Sequence, residues 1–290
     1  MVPALERGGD GGIYFYNDWR AWTPWGHKNR PDYGHPEVRQ FIRDNALMWL
    51  EEYRVDGLRF DATVFIRNVY GHDNDPIDNP NNLGEWGWNL MRWINDEVDS
   101  RQPWKLTIAE DMQGNAWLTK PPPERGAGFD SQWDAHFHHT LRGVLTAVRD
   151  EERDMGAVRA VVEHRFDGDA FRRVIYTESH DEVAADNGKR RLPEDIHPGH
   201  ADSWYAKKRS TLGAALVFTS PGIPMLFQGQ EILEWIPFGV NNRIDWDKYD
   251  RFRGIFTLYR DLIRLRRNWF NNTHGLGTTP TYSTSTTTTR

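Results

Sequence analysis

Short apolar runs alternate along this chain with longer segments whose apolar residues recur at helical spacing. Pro36 suits the first turn of a helix, and Val38, Phe41, Ile42, Trp49, Leu50 and Tyr53 give that helix one apolar face. Residues 55–61 then read as the first clear strand, 105–110 as a second, and 129–133 as a short third. Residues 174–177 read as a fourth, and 223–231 as a final strand and turn. Helices are predicted over 86–98, from 134 through Leu141 and Val144, over 204–218 as a buried helix, and at the end of the chain. That last one carries Phe252, Ile255, Phe256, Tyr259, Leu262, Ile263 and Arg266 on an amphipathic pattern. Strands that alternate with helices imply βα units and a parallel sheet, so the fold class is α/β.

Between these elements lie three loops. Residues 1–35 are rich in Gly, Trp and Tyr without a sustained period; 71–82 is polar and punctuated by Pro; 121–123 is a run of Pro. No internal repeat is visible. Residues 278–290 are almost all Thr, Ser and Pro, an abrupt change from the preceding helix. A disordered tail and a shifted reading frame are the two explanations.

Composition narrows the partners. A formal net charge of −6 and the lack of a basic run argue against nucleic acid. No stretch is long and apolar enough to predict a membrane span, and residues 1–7 do not read as a secretory leader. The absence of Cys excludes disulfides and thiolate metal sites and fits a cytoplasmic protein. The 290 residues suffice for one large α/β domain or two smaller ones. Fourteen Trp tilt slightly toward carbohydrate, although Trp is also ordinary core material.

The candidate chemistry sits at three strand ends. In Asp56-Gly57-Leu58-Arg59-Phe60-Asp61-Ala62, alternation points Arg59 and Asp61 to one side and Leu58 and Phe60 to the other. A cation beside a carboxylate favours its charged form. The other two ends are Ile108-Ala109-Glu110-Asp111 and Glu178-Ser179-His180-Asp181-Glu182. Asp111 is expected to face away from Glu110. As a bare structural alternative, Arg59 and Asp61 are a buried ion pair and Glu110 a solvated strand-end residue.

These three motifs, in this order, resemble the α-amylase superfamily, glycoside hydrolase family 13, over roughly residues 12–270. Within it, Ser179-His180-Asp181-Glu182-Val183 and Asp32-Tyr33-Gly34-His35-Pro36-Glu37-Val38 are most like 1,4-α-glucan branching enzymes. The resemblance implies a (β/α)8 barrel, of which about five strands are legible, against the eight that a barrel needs. The earlier family motifs find no match before Asp56. The expectation is therefore the C-terminal part of a barrel over 1–270 with its first strands missing, and a tail over 271–290. Such a chain by itself is expected to fold poorly or to lack activity, since an unclosed barrel exposes sheet edges.

The resemblance also implies roles. Asp61 becomes the nucleophile of a retaining glycosyl transfer, Glu110 the general acid and then base, and Asp181 the third catalytic carboxylate. Arg59, His180 and Glu182 become substrate-binding residues. The partner is an α-glucan such as glycogen, amylose or a maltooligosaccharide. Neither a cofactor nor a metal is expected. Val64 and Phe65 stand where amylases often carry Lys and His, which disfavours plain amylase activity, and Glu182 favours branching. Asp111 after Glu110 departs from the branching pattern and leaves open a trehalose-releasing hydrolase. An inactive glucan-binding fragment is the alternative of another class.

Other clusters have plainer readings. His136, His138 and His139 lack a carboxylate at a recognised spacing and are expected to diverge into core and surface. Asp73, Asp75 and Asp78 resemble half a calcium loop without its Gly and terminal Glu. Trp86, Trp88, Trp117 and Trp133 are each expected in the core before the sugar site.

Overall fold

A computed structural model describes residues 12–23, 27–68 and 84–273. The aspartates at 73, 75 and 78 and the Thr-rich tail lie outside the described residues. Two compact units divide the chain, Met1–Trp133 and Asp134–Arg290. Among the described residues, no helix is long and apolar enough to cross a membrane.

In the first unit, helix α1 (Pro36–Glu51) leads to strand β1 (Gly57–Phe60) and the short helix α2 (Thr63–Arg67). Helix α3 (Asn89–Arg101), strand β2 (Leu106–Ala109) and strand β3 (Ser131–Trp133) follow. The pairing is parallel, with Gly57 opposite Leu106, Phe60 opposite Ala109, and Ile108 opposite Ser131. Gly57 is required by this approach. A Cβ there would stand 2.4 Å from the Leu106 carbonyl oxygen, closer than any real contact.

Helix α1 buries Val38, Ala46, Leu47 and Leu50, and of these Ala46 and Leu50 pack with Leu90, Ile94 and Val98 of α3 and with Tyr16, Ala21 and Tyr33 of the preceding loop. The face predicted for α1 is only half right. Phe41, Trp49 and Tyr53 are exposed, and the Trp49 and Tyr53 rings lie 4.7 Å apart on the surface. Ala46 takes a core place facing α3, where a small residue lets the two helices approach, and Leu47 is buried as well. A second cluster packs Trp88, Met91, Leu118 and Phe129 around Ala109.

In the second unit, helix α4 (Ala135–Thr146) and helix α5 (Met155–Glu163) precede strand β4 (Arg173–Ile175). Then come α6 (Leu192–Ile196), α7 (Trp204–Thr219), strand β5 (Ile223–Pro224), α8 (Asp247–Arg251) and α9 (Arg253–Arg266). Strands β4 and β5 pair in parallel. Helices α4, α5 and α7 are capped by side chains: Asp134 accepts from Phe137 N–H, Asp154 from Ala157 N–H, and Ser203 from Ala206 N–H. The core joins Phe137, Leu141 and Leu145 of α4 to Ile175, Val217, Phe218, Tyr259 and Leu262. Arg266 closes α7 by donating to the carbonyls of Phe218 and Ser220, at 3.0 and 2.9 Å. Apolar periodicity does not predict helix α5; the cap at Asp154 is its signal in the sequence.

The most demanding polar contact of the first unit is between Arg67 and Asp111. Nε and Nη2 of Arg67 donate to the two carboxylate oxygens at 2.8 Å each. Their side chains are 4% and 0% exposed. Removing one partner of such a pair strands a buried charge. Asp111→Ala should destabilise the protein by about 3–5 kcal/mol, read as a fall in the urea midpoint. Adding Arg67→Met should recover most of that loss, because the buried cation is then removed together with its carboxylate.

Candidate active site

Strands β1 and β2 end side by side, and their last hydrogen bonds carry the pairing beyond the strands. Glu110 N–H donates to the Phe60 carbonyl at 2.9 Å, and Thr63 N–H to the Glu110 carbonyl at 2.8 Å. Between these bonds Ala62 takes a left-handed conformation, φ 46°. The turn it makes aims its N–H at Glu110 Oε2, 2.5 Å away. Asp61, one residue earlier, projects outward with its side chain 72% exposed.

Arg59 joins the two carboxylates. Its Nη1 donates to Asp61 Oδ1, and its Nη2 stands 3.5 Å from Glu110 Oε2. The guanidinium rests on the Trp133 ring, 4.3 Å from its centroid, a stacking that fixes a planar cation well. Alternation along β1 thus brings Arg59 and Asp61 to one side, as the sequence predicts. Asp111 does face away, into its pair with Arg67. One exposed and one largely covered carboxylate on a single cation can divide attack and proton transfer between them.

In the second unit the chain after β4 carries His180, Asp181 and Glu182. His180 Nε2 lies 3.2 Å from Asp181 Oδ2, and both side chains are about half exposed. Glu182 does not join them. Its Oε2 lies 3.4 Å from His138 Nε2 and 3.2 Å from Lys189 Nζ. The neighbouring imidazole and the lysine take its carboxyl down to about 2, against the upward pull of partial burial. Burial lowers His138 against the opposing pull of Glu182. Glu178, in the same motif, is wholly buried beside Arg191 and accepts the Leu192 N–H at 2.5 Å. Desolvation raises its pKa although Arg191 resists.

The histidines divide into core and surface as expected, with His138 buried and His139 exposed. Their rings nevertheless meet edge to face with centroids 4.9 Å apart, and Glu182 supplies a carboxylate from a distant part of the sequence. His136 is exposed. Trp88 and Trp133 are buried, whereas Trp86 and Trp117 are more than a third exposed, beside Arg39 and Lys120. The Arg67–Asp111 pair and the partner of Glu182 were not legible in the sequence, because each contact joins residues more than forty apart.

The alpha-amylase catalytic domain matches residues 26–269. The chain belongs to the alpha-amylase family. Among curated members, the 1,4-alpha-glucan branching enzyme GlgB of Pseudoalteromonas atlantica is 31% identical over 264 residues, covering 87% of this chain and 35% of that enzyme. The malto-oligosyltrehalose trehalohydrolase of Saccharolobus solfataricus is 31% identical over 251 residues, covering 78% of this chain and 40% of the relative. The chain thus spans well under half the length of these relatives. Among solved structures, the Anoxybacillus sp. LM18-11 pullulanase complexed with maltotriose aligns with a TM-score of 0.60 at 20% identity, over 89% of this chain and 36% of that one. The cyclic alpha-maltosyl-(1→6)-maltose hydrolase of Arthrobacter globiformis also reaches 0.60, at 16% identity, over 91% of this chain and 55% of that one. These alignments agree with the α/β fold of alpha-amylase catalytic domains.

The low pKa of Glu182 has a pH signature. Its folded value, about 2, lies below the ordinary glutamate value of about 4.3. The folded state therefore binds this proton less readily than the unfolded state. The resulting stabilisation is full above about pH 4.3 and is lost as pH falls toward 2. Urea unfolding of the wild type and Glu182→Gln should show a stability gap at pH 6 that narrows across this window.

Proposed function

We propose that this alpha-amylase family member acts on α-glucans by a retaining mechanism, as a 1,4-α-glucan branching enzyme. The observation that carries the reading is the single Arg59 guanidinium shared by Asp61 and Glu110. In this mechanism the Asp61 carboxylate attacks the anomeric carbon while Glu110 gives its proton to the departing 4-oxygen, so the α-1,4 bond breaks as a glycosyl ester forms. Glu110, now ionised, takes the proton of an incoming glucan 6-hydroxyl. That oxygen attacks the anomeric carbon, Asp61 leaves, and an α-1,6 bond results. Arg59 orients Asp61 throughout. His180 and Asp181 grip sugar hydroxyls and strengthen that grip as the oxocarbenium character grows. The reading assigns the catalytic portion to residues 1–270 and implies a setting in cytoplasmic glycogen synthesis.

A second reading has its own support. The trehalohydrolase matches at the same identity as the branching enzyme, and Asp111 follows Glu110 where the branching pattern usually has a second Glu. In that case water replaces the 6-hydroxyl as acceptor.

Amylose incubated with the protein encoded by the complete gene separates the two. Branching removes iodine colour with no matching rise in reducing ends; hydrolysis raises both signals together and would replace the first reading by the second. Asp61→Asn should bring turnover to background while the fold, read by circular dichroism, is kept. Glu110→Gln should slow it by about 10²–10⁴-fold. Normal turnover in a folded Asp61→Asn protein would remove Asp61 from the mechanism, and a folded wild type without turnover would leave only glucan binding.

A further inference from the structure

We propose that His138, His139 and Glu182 form a binding site for one divalent transition-metal ion of the zinc type, a departure from the metal-free chain expected from sequence. One donor atom from each of the three residues lies within 4.8 Å of the others. His138 is 0% exposed, and neither of its ring nitrogens has a hydrogen-bond partner. A buried imidazole left in that state is costly unless something binds it.

The contact with Glu182 has metal-like dimensions. Nε2 to Oε2 is 3.4 Å, long for an N–H···O bond, which spans about 2.7–3.2 Å. Two donors on a tetrahedral ion with bonds of about 2.0–2.1 Å stand about 3.3–3.4 Å apart. The His138 ring is held for this role by stacking on Tyr176, centroids 5.0 Å apart and planes 22° from parallel. Exposed His139 closes the site from the solvent side. Two imidazoles and one carboxylate make a three-ligand set that leaves a fourth position for water.

Lys189 is the competitor. Its ammonium lies 3.2 Å from Glu182 Oε2, and its side chain is 41% exposed, free to swing into solvent. Ion and lysine compete for one carboxylate oxygen. A bound ion would tie the loop that carries His180 and Asp181 to helix α4 by bonds that do not need Lys189.

The test uses the full, untagged chain stripped with a chelator. Zn2+ is titrated calorimetrically, and Co2+ is followed by its visible absorption. One equivalent should bind, and Co2+ should show the intense bands of a four-coordinate site. His139→Ala, at an exposed position, should weaken binding at least about 100-fold, since loss of an outer-shell partner alone costs 10–100-fold. Lys189→Met should tighten it. The two variants move in opposite directions, so a general loss of folding cannot imitate the result. No stoichiometric binding, equal affinity in wild type and His139→Ala, or no gain in Lys189→Met would each overturn the site.

Discussion

The register between β1 and β2 is the constraint on which the candidate site depends. Parallel pairing sets Phe60 opposite Ala109, so Asp61 and Glu110 leave the sheet at the same height. A slip of one residue would send Arg59 and Asp61 to the opposite face. Gly57 holds the register from below, where no Cβ fits against Leu106. The Glu110 and Thr63 amide bonds hold it from above. Ala62 accepts a left-handed backbone at that point, a strain of the kind found where a chain must aim a functional group.

Two neighbouring carboxylates show how position divides chemistry. Glu110 and Asp111 are adjacent, yet they take different arginines on different sides of the chain. Arg67 grips Asp111 in a dry fork and makes it part of the frame. Arg59 meets Glu110 more loosely and leaves Asp61 open to solvent. The same division recurs in the second unit. Glu178 is buried and structural, whereas His180 and Asp181 stay exposed. Motifs rich in charge thus contain both buried anchors and groups left open to solvent.

Helix α4 supplies the third element. Asp134 caps it and also accepts from Arg173 at 3.0 Å and His164 at 3.2 Å. Burial works against the charge on Asp134, but His164, the Phe137 amide and Arg173 outweigh it and leave its pKa lowered. This anchoring fixes the start of the helix, and with it the place of His138 one turn later, beside Glu182. A loop that follows a strand is seldom rigid by itself; here its acidic end is tied to a capped helix.

By itself, the sequence determined the α/β alternation, the places of the five strands among the described residues within a few positions, and the strand-end motifs. These depend on local period, on the twofold alternation of a strand and on residue type. The common side of Arg59 and Asp61 followed from alternation alone, and so did the turning away of Asp111. Tertiary structure decided which face of α1 is buried, which tryptophans enter the core, and which partner each carboxylate meets. Those outcomes depend on contacts between residues dozens of positions apart, such as Arg67 with Asp111 and His138 with Glu182. A linear pattern does not encode such contacts until the chain has packed.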